Sequence, residues 1–140
     1  RSDHVLWLDD AAATAAQAPY FEALENLRVA LNRNLFLGLF RFEGHLAIYP
    51  PGSFYRRHLD QFAGDAQRTL STILYLNNDW RAEDGGHLRI YLDDADEGAH
   101  VDVAPQGGTL ACFLSKRFYH EVLPARRERL SVTGWFRLRD

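Results

Sequence analysis

The residues best suited to chemistry in this 140-residue chain are His58 and Asp60, inside YPPGSFYRRHLDQF, the distant His120, and Arg129, nine positions after it. A His-x-Asp pair on an extended segment turns both side chains to the same face, because strand side chains alternate with period two. A further histidine on that face completes two imidazoles and one carboxylate. Such a set covers one face of an octahedral ion and leaves the opposite positions open, the arrangement of non-haem Fe(II) oxygenases.

A second His-x-Asp stands at His100 and Asp102. In a jelly roll, ligand-bearing strands face one another only after the chain has wound through several others, each about five or six residues plus a turn. The interval from His58 to His120 accommodates that winding, whereas His100 to His120 holds about one strand and its turns. His58, Asp60 and His120 are therefore the expected ligands, and His100 and Asp102 read as edge or surface residues. His4, His45 and His87 are expected to pack or cap. After His120 the run EVLPARRER contains a proline turn, so the chain is expected to double back and pair antiparallel with the histidine strand, returning Arg129 to the same pocket. Its guanidinium is a planar fork suited to a carboxylate. A cosubstrate that chelates iron at one end and carries a carboxylate at the other fits between, and 2-oxoglutarate is such a molecule. The phenol of Tyr75, in ILYLN, is placed to donate to the same carboxylate.

The elements that must position these residues are mainly strands. DHVLWL reads as a short first strand. From Pro19, a favourable residue for a first helical turn, Phe21, Leu24, Leu27 and Leu31 recur at helical spacing. LFLGLFRF and GHLAIYP read as two β runs joined by a tight connection at Glu43-Gly44. FYRRHLDQF resumes the extended pattern after a Pro50-Pro51-Gly52-Ser53 turn. RTLSTILYLN, HLRIYL, HVDVAP, GGTLACFL, YHEVLP and RLSVTGWFRL follow as strands, with NDWRAEDGG as a loop and DDADEG as an acidic turn. Short strands at this spacing indicate a sandwich or jelly roll. The expected architecture is mainly β, a double-stranded β-helix with an N-terminal helical layer.

The length suits one domain, residues 1–140, with a single core. No apolar stretch approaches the roughly 20 residues of a membrane span, and RSDHVLWLDD lacks the basic start and apolar run of a signal peptide; the absence of methionine suggests that a segment precedes Arg1. Cys112, the single cysteine, cannot form an internal disulfide, which fits a reducing, cytoplasmic setting, and its flank TLACFL reads as buried strand with a small core thiol. A net charge of −3 gives no basic field for nucleic acid. Local clusters, Arg56-Arg57, Lys116-Arg117 and Arg126-Arg127-Arg129, flank the proposed site and suggest a mouth that attracts acidic ligands.

Through YPPGSFYRRHLDQF, ILYLNNDW, GGHLRIY, CFLSKRFYHEV and RLSVTGWF, in that order and spacing, the sequence resembles the Fe(II)- and 2-oxoglutarate-dependent prolyl 4-hydroxylases, in particular bacterial relatives of the animal oxygen-sensing enzymes. The resemblance implies that His58, Asp60 and His120 bind iron, and that Arg129 and Tyr75 hold the distal carboxylate of 2-oxoglutarate. It further implies that Tyr49, Leu88 and Trp135 line the cosubstrate pocket and that Tyr55 and Arg68 lie near the peptide side; Arg57 and Arg117 flank that groove. The implied reaction is hydroxylation at C4 of a prolyl residue, coupled to conversion of 2-oxoglutarate and O2 to succinate and CO2, with ascorbate as reductant. The expected partner is a protein or peptide with an exposed proline, a translation elongation factor being one candidate, acted on by a cytoplasmic monomer with no nucleic-acid or membrane partner. Two departures bear on substrate choice: the finger loop that the family places before the first strand is missing, and the turn before Tyr55 is one residue shorter than in the animal enzymes. Two alternatives stay open: the same chemistry on a free amino acid or other small molecule, and a non-catalytic jelly-roll module that binds metal or ligand.

Overall fold

The computed structural model describes residues 3–61, 67–93 and 98–139. Among these residues nine strands form two antiparallel sheets: β1 (His4–Trp7), β2 (Arg41–Tyr49), β3 (Tyr55–His58), β4 (Arg68–Tyr75), β5 (Leu88–Tyr91), β6 (His100–Val103), β7 (Leu110–Leu114), β8 (His120–Val122) and β9 (Arg129–Arg137). The major sheet has the order β1-β2-β9-β4-β7 and the minor sheet β3-β8-β5-β6. From β2 onward the chain crosses between the sheets at every step except β5 to β6, which is the winding of a jelly roll, and the expected architecture is borne out.

The helical layer is α1 (Ala18–Leu35), with Pro19 in its first turn. Leu24 packs with Leu39, Leu70 and Phe136, joined by Tyr20, Leu27, Leu31 and Phe42. These sheet residues lie on the outward face of the major sheet, so the helix covers that face and the inward face is left for the site. None of the helices is long and apolar enough to cross a membrane among the described residues.

Five local expectations differ from what the chain does. LFLGLFRF is not a strand: Leu35 ends α1, Phe36 is a left-handed C-cap at φ 52°, and residues 37–40 carry no regular structure. The helix holds this segment through its own side chains. Asn32 accepts from the Leu39 N–H at 2.8 Å and donates to its carbonyl at 2.8 Å, while Arg28 donates to the same carbonyl at 3.1 Å. Glu43-Gly44 is then no turn, and β2 runs straight through it, pairing Glu43 with Trp135 and Gly44 with Gly134. The Phe42 ring lies over that pairing so closely that a Cβ on Gly134 would come within 2.1 Å of it.

Nor do β8 and β9 form a hairpin. β8 pairs with β3 and β5, whereas β9 pairs with β2 and β4, so the proline turn carries the chain across the sandwich. The crossing lets β9 face β8 through the interior. Cys112 is exposed, because Ala111 and Phe113 take the inward positions of β7 and period two sends the thiol outward. The extended run FYRRHLDQF contributes only Tyr55–His58 as strand, and Asp60 lies in a bend after it. Part of the expected acidic turn, residues 94–97, lies outside the described residues.

Candidate metal and cosubstrate site

β3 and β8 are neighbours, and His58 is the direct cross-strand partner of His120. The two rings are 4.2 Å apart, and the Nε2 atoms of His58 and His120 lie 3.3 and 3.2 Å from the same oxygen, Asp60 Oδ1. One ligand atom from each residue falls within 4.8 Å of the others, close enough for a single ion to touch all three. The imidazoles are oriented alike. His58 Nδ1 is 2.7 Å from the Arg56 carbonyl, and His120 Nδ1 is 3.1 Å from the Phe118 carbonyl. An Nδ1–H donated to a backbone carbonyl leaves the Nε2 lone pair free, the tautomer that a metal requires. Tyr55 stacks flat on His58 at 3.7 Å and further restrains it.

Asp60 is buried, which pushes its carboxyl up; hydrogen bonds with His120, His58 and Ser71 outweigh this and hold it well below the usual carboxylate range. It is therefore ionised at neutral pH. The contribution of two imidazoles and one carboxylate is the donor set suited to Fe(II).

The ligands open into a cavity of about 380 Å³ whose lining includes Tyr49, Arg68, Leu88, Arg129, Ser131 and Trp135. One strand supplies four residues of this wall. Arg129, Ser131, Thr133 and Trp135 occupy alternate positions of β9 and share its inward face. Arg129 is 2% exposed, and among the described residues no carboxylate lies within ion-pairing distance of it. Its Nε donates to the Gly86 carbonyl at 2.7 Å and its Nη2 to the Tyr75 hydroxyl at 3.4 Å. Gly86 is required here: its φ is +67°, and a Cβ would meet Ala125 Cβ at 2.8 Å and the Arg129 stem at 3.3 Å. Asn77 pins the strand next to the arginine by accepting from Leu130 N at 2.8 Å and donating to its carbonyl at 3.1 Å.

The wall also carries polar atoms with no protein partner. Ser131 Oγ and Trp135 Nε1 are buried without a hydrogen bond. Buried polar groups are nearly always paired, so two orphans in the same wall as a buried guanidinium that has no carboxylate partner among the described residues mark a surface shaped for a polar, anionic ligand. Burial also pushes the Tyr75 phenol up, against the opposing influence of Arg129. It remains a neutral hydroxyl at physiological pH.

The expected residues do not all gather here. Tyr49, Tyr55, Arg68, Leu88 and Trp135 line the cavity; Arg57 and Arg117 do not. Arg57 precedes the inward His58 and therefore faces outward, its guanidinium 4.0 Å from the Tyr91 ring centroid and 5.3 Å from that of Tyr119. Arg117 is exposed beside Phe118. Arg68 lies over Trp135 at 3.7 Å and is tethered by Glu43, which also accepts from Arg137 at 2.9 Å. His100 and Asp102 sit on the edge strand β6, where Asp102 pairs with Arg89 at 2.8 Å, as an edge reading requires.

Several contributors escaped the sequence reading. His45 packs as expected, but it also lines the cavity, 4.8 Å from Trp7 and 5.4 Å from Trp135. Ser71, Ser115 and Ser131 are buried hydroxyls around the site. The available signal for Ser71 and Ser131 was a hydroxyl at an inward position of an otherwise apolar strand.

This jelly roll, with its His-Asp-His cluster and buried arginine, is the scaffold of an iron- and 2-oxoglutarate-using oxygenase, and residues 44–137 match the family described as the 2OG-Fe(II) oxygenase superfamily. The chain belongs to that family. It is similar to a hypoxia-inducible factor prolyl hydroxylase of Caenorhabditis elegans, 33% identical over 97% of this chain, but spans only 20% of that relative. Among solved structures it resembles a Pseudomonas putida prolyl-4-hydroxylase, with 52% identity and a TM-score of 0.91 over all of this chain and 74% of the other. It also resembles a Trichoplax adhaerens prolyl hydroxylase in complex with a hypoxia inducible factor oxygen degradation domain peptide fragment, at 27% identity and a TM-score of 0.82 over 98% of this chain and 63% of the other.

Proposed function

We propose that the chain is a 2-oxoglutarate-dependent dioxygenase that hydroxylates C4 of a prolyl residue in a protein or peptide. The observation that carries the reading is Arg129, a buried cation with no carboxylate partner among the described residues, in the same cavity as His58, Asp60 and His120. His58, Asp60 and His120 would hold Fe(II). Arg129, with Tyr75 beside it, would hold the distal carboxylate of 2-oxoglutarate. When bound, iron and 2-oxoglutarate supply the oxidising chemistry: O2 and 2-oxoglutarate are consumed, succinate and CO2 leave, and one oxygen atom enters the substrate C–H bond.

The chain's own residues set the geometry. The two Nδ1 contacts fix the orientation of both imidazoles and aim their Nε2 atoms at the site. Asp60 contributes the negative charge that favours a divalent cation. Arg129 and the neutral Tyr75 hydroxyl fix one end of the cosubstrate, and Ser131 Oγ offers a further contact beside them. Leu88, Val122 and Ile73 are apolar walls of the cavity and limit water around the reacting atoms. Tyr49, Leu88 and Trp135 would line the cosubstrate end of the cavity; Tyr55 and Arg68, also in its lining, would meet the substrate, with the outward Arg57 and Arg117 contributing at longer range.

The names of the nematode, Pseudomonas and Trichoplax relatives support proline as the target. The fuller reading is of residues 1–140 acting as one catalytic domain, cytoplasmic and monomeric, with ascorbate returning iron to the ferrous state and oxygen supply governing turnover. A translation elongation factor with an exposed loop proline is the partner to try first. The test is succinate formation from 2-oxoglutarate in air with Fe(II) and ascorbate. Proline-containing peptides should stimulate it, and mass spectrometry should find one added oxygen on proline. Stimulation by free proline alone would overturn the protein-substrate reading, and no turnover with iron and 2-oxoglutarate bound would favour a non-catalytic module.

A further inference from the structure

Asp60 is the one ligand not held by a strand, and its second oxygen is already engaged. Ser71 on β4 donates to Asp60 Oδ2 at 2.6 Å, and Ser115, just beyond β7, lies 2.9 Å from Ser71 Oγ. A serine hydroxyl has one hydrogen, and an ionised carboxylate can only accept. The Ser71 hydrogen therefore goes to Asp60, and Ser115 must be the donor to Ser71. The order Ser115 to Ser71 to Asp60 Oδ2 is thus determined by chemistry. Both serines are 0% exposed, so water does not compete for these bonds.

The backbone around the relay is tied into the same unit. Ser115 N donates to the Thr69 carbonyl at 2.9 Å, Gln61 N donates to the Ser115 carbonyl at 3.1 Å, and the Gln61 side chain donates to the Arg68 carbonyl at 2.8 Å. The major sheet, through β4 and the end of β7, thereby grips the bend that follows β3 of the minor sheet.

We infer that Ser71 and Ser115 are positioning residues that occupy Asp60 Oδ2 and so reserve the carboxylate as a one-oxygen ligand. Three single-atom ligands leave three positions of an octahedral ion open. A chelating 2-oxo acid needs two of them and O2 the third, so a carboxylate binding through both oxygens would take a place that the reaction requires. The inference rests on the ligand assignment above and concerns what keeps the third position open.

Two anaerobic binding measurements on the intact protein test it: Fe(II) affinity against a competing chelator, and 2-oxoglutarate affinity from the visible band that a 2-oxo acid gives on chelating Fe(II). Ser71→Ala should weaken 2-oxoglutarate by about tenfold, the lower end of what a lost outer partner costs, while Fe(II) affinity changes much less because the freed oxygen can turn to the ion. Ser71→Thr keeps the hydroxyl and should restore wild-type behaviour. Ser115→Ala leaves the Ser71 bond to Asp60 in place and should fall between wild type and Ser71→Ala. Wild-type 2-oxoglutarate affinity in Ser71→Ala would overturn the inference, as would failure of the threonine to rescue, or equal losses of iron and 2-oxoglutarate accompanied by a lowered Tm. Should Ser71→Ala not fold, Ser115→Ala and Ser71→Thr carry the comparison, and wild-type 2-oxoglutarate affinity in Ser115→Ala would then overturn it. Failure of the wild-type protein itself to bind Fe(II) would overturn the ligand assignment and the relay together.

Discussion

At the scale of single residues, Arg129 and the two histidines make separable predictions. Burying a guanidinium is costly unless an anion meets it, so the cavity should bind a carboxylate tightly through Arg129. Arg129→Ala should weaken 2-oxoglutarate by roughly 30-fold or more, corresponding to about 2 kcal/mol for a lost buried charge-assisted contact. Equilibrium binding to the Fe(II)-loaded protein checks this, with Fe(II) affinity itself as the unaffected control. His120→Ala should instead abolish high-affinity Fe(II) binding, because two of three ligand atoms remain. Tyr75 adds a pH test. Its phenol is raised by burial, so the folded state holds its proton more firmly than the unfolded state. Its contribution to stability is then fully present below the unfolded value, about pH 10, and is lost as pH rises through the folded value. Spectrophotometric titration should show a tyrosine that ionises later in the native protein than after denaturation. In Tyr75→Phe the late component should shrink by one tyrosine, leaving Tyr20, raised by burial, and Tyr91, raised by its hydrogen bond to Glu121.

At the scale of elements, β9 does the most to build the site, because one face of it supplies Arg129, Ser131, Thr133 and Trp135. The opposite face carries Phe136 into the layer under α1. Its neighbour β2 must therefore sit at one register, and the Gly44–Gly134 pair beneath Phe42 sets it. Phe42 has little room to move, since Phe136 is 5.1 Å from its ring and Tyr20 6.0 Å. Gly134→Ala should lower stability by about 1–3 kcal/mol through overpacking. Chemical denaturation measures it, and the loss should shrink when Phe42→Ala is added. This strand was legible as a strand from RLSVTGWFRL, but its partners were not. The proline turn after His120 suggested a local hairpin, whereas β9 pairs with β2 and β4 from the far side of the sandwich. Local turn chemistry bends a chain without specifying which sheet it rejoins.

At the scale of the whole molecule, the site is a junction of the two sheets. The minor sheet contributes His58 and His120, the major sheet contributes Arg129, and the relay through Ser71 and Ser115 links them. Ligands that bind only this assembled state must stabilise it by mass action. Fe(II) with 2-oxoglutarate at about 100 times the dissociation constant should add about 2.7 kcal/mol. Thermal unfolding under anaerobic conditions should show a raised Tm that a metal chelator reverses, and Arg129→Ala should keep the iron part of the shift while losing most of the 2-oxoglutarate part.

The chemistry was legible early because it resides in residue types and intervals. Two imidazoles, a carboxylate and an arginine at these spacings admit few functions, and period-two alternation was enough to identify a β architecture around them. What depended on the tertiary structure was everything decided by neighbours distant in the chain. Leu39 was claimed by Asn32 and Arg28, so an apolar run became a helix cap instead of a strand. Cys112 and Arg57 were turned outward by the register of β7 and β3. Ser71, Ser115 and Ser131, ordinary serines in the sequence, acquired roles only when folding buried Ser71 against Asp60, Ser115 against Ser71 and Ser131 in the cavity wall. Sequence spacing carries the identity of the ligands; burial and cross-sheet contact, which set the free energy of every buried polar atom, decide how they are held.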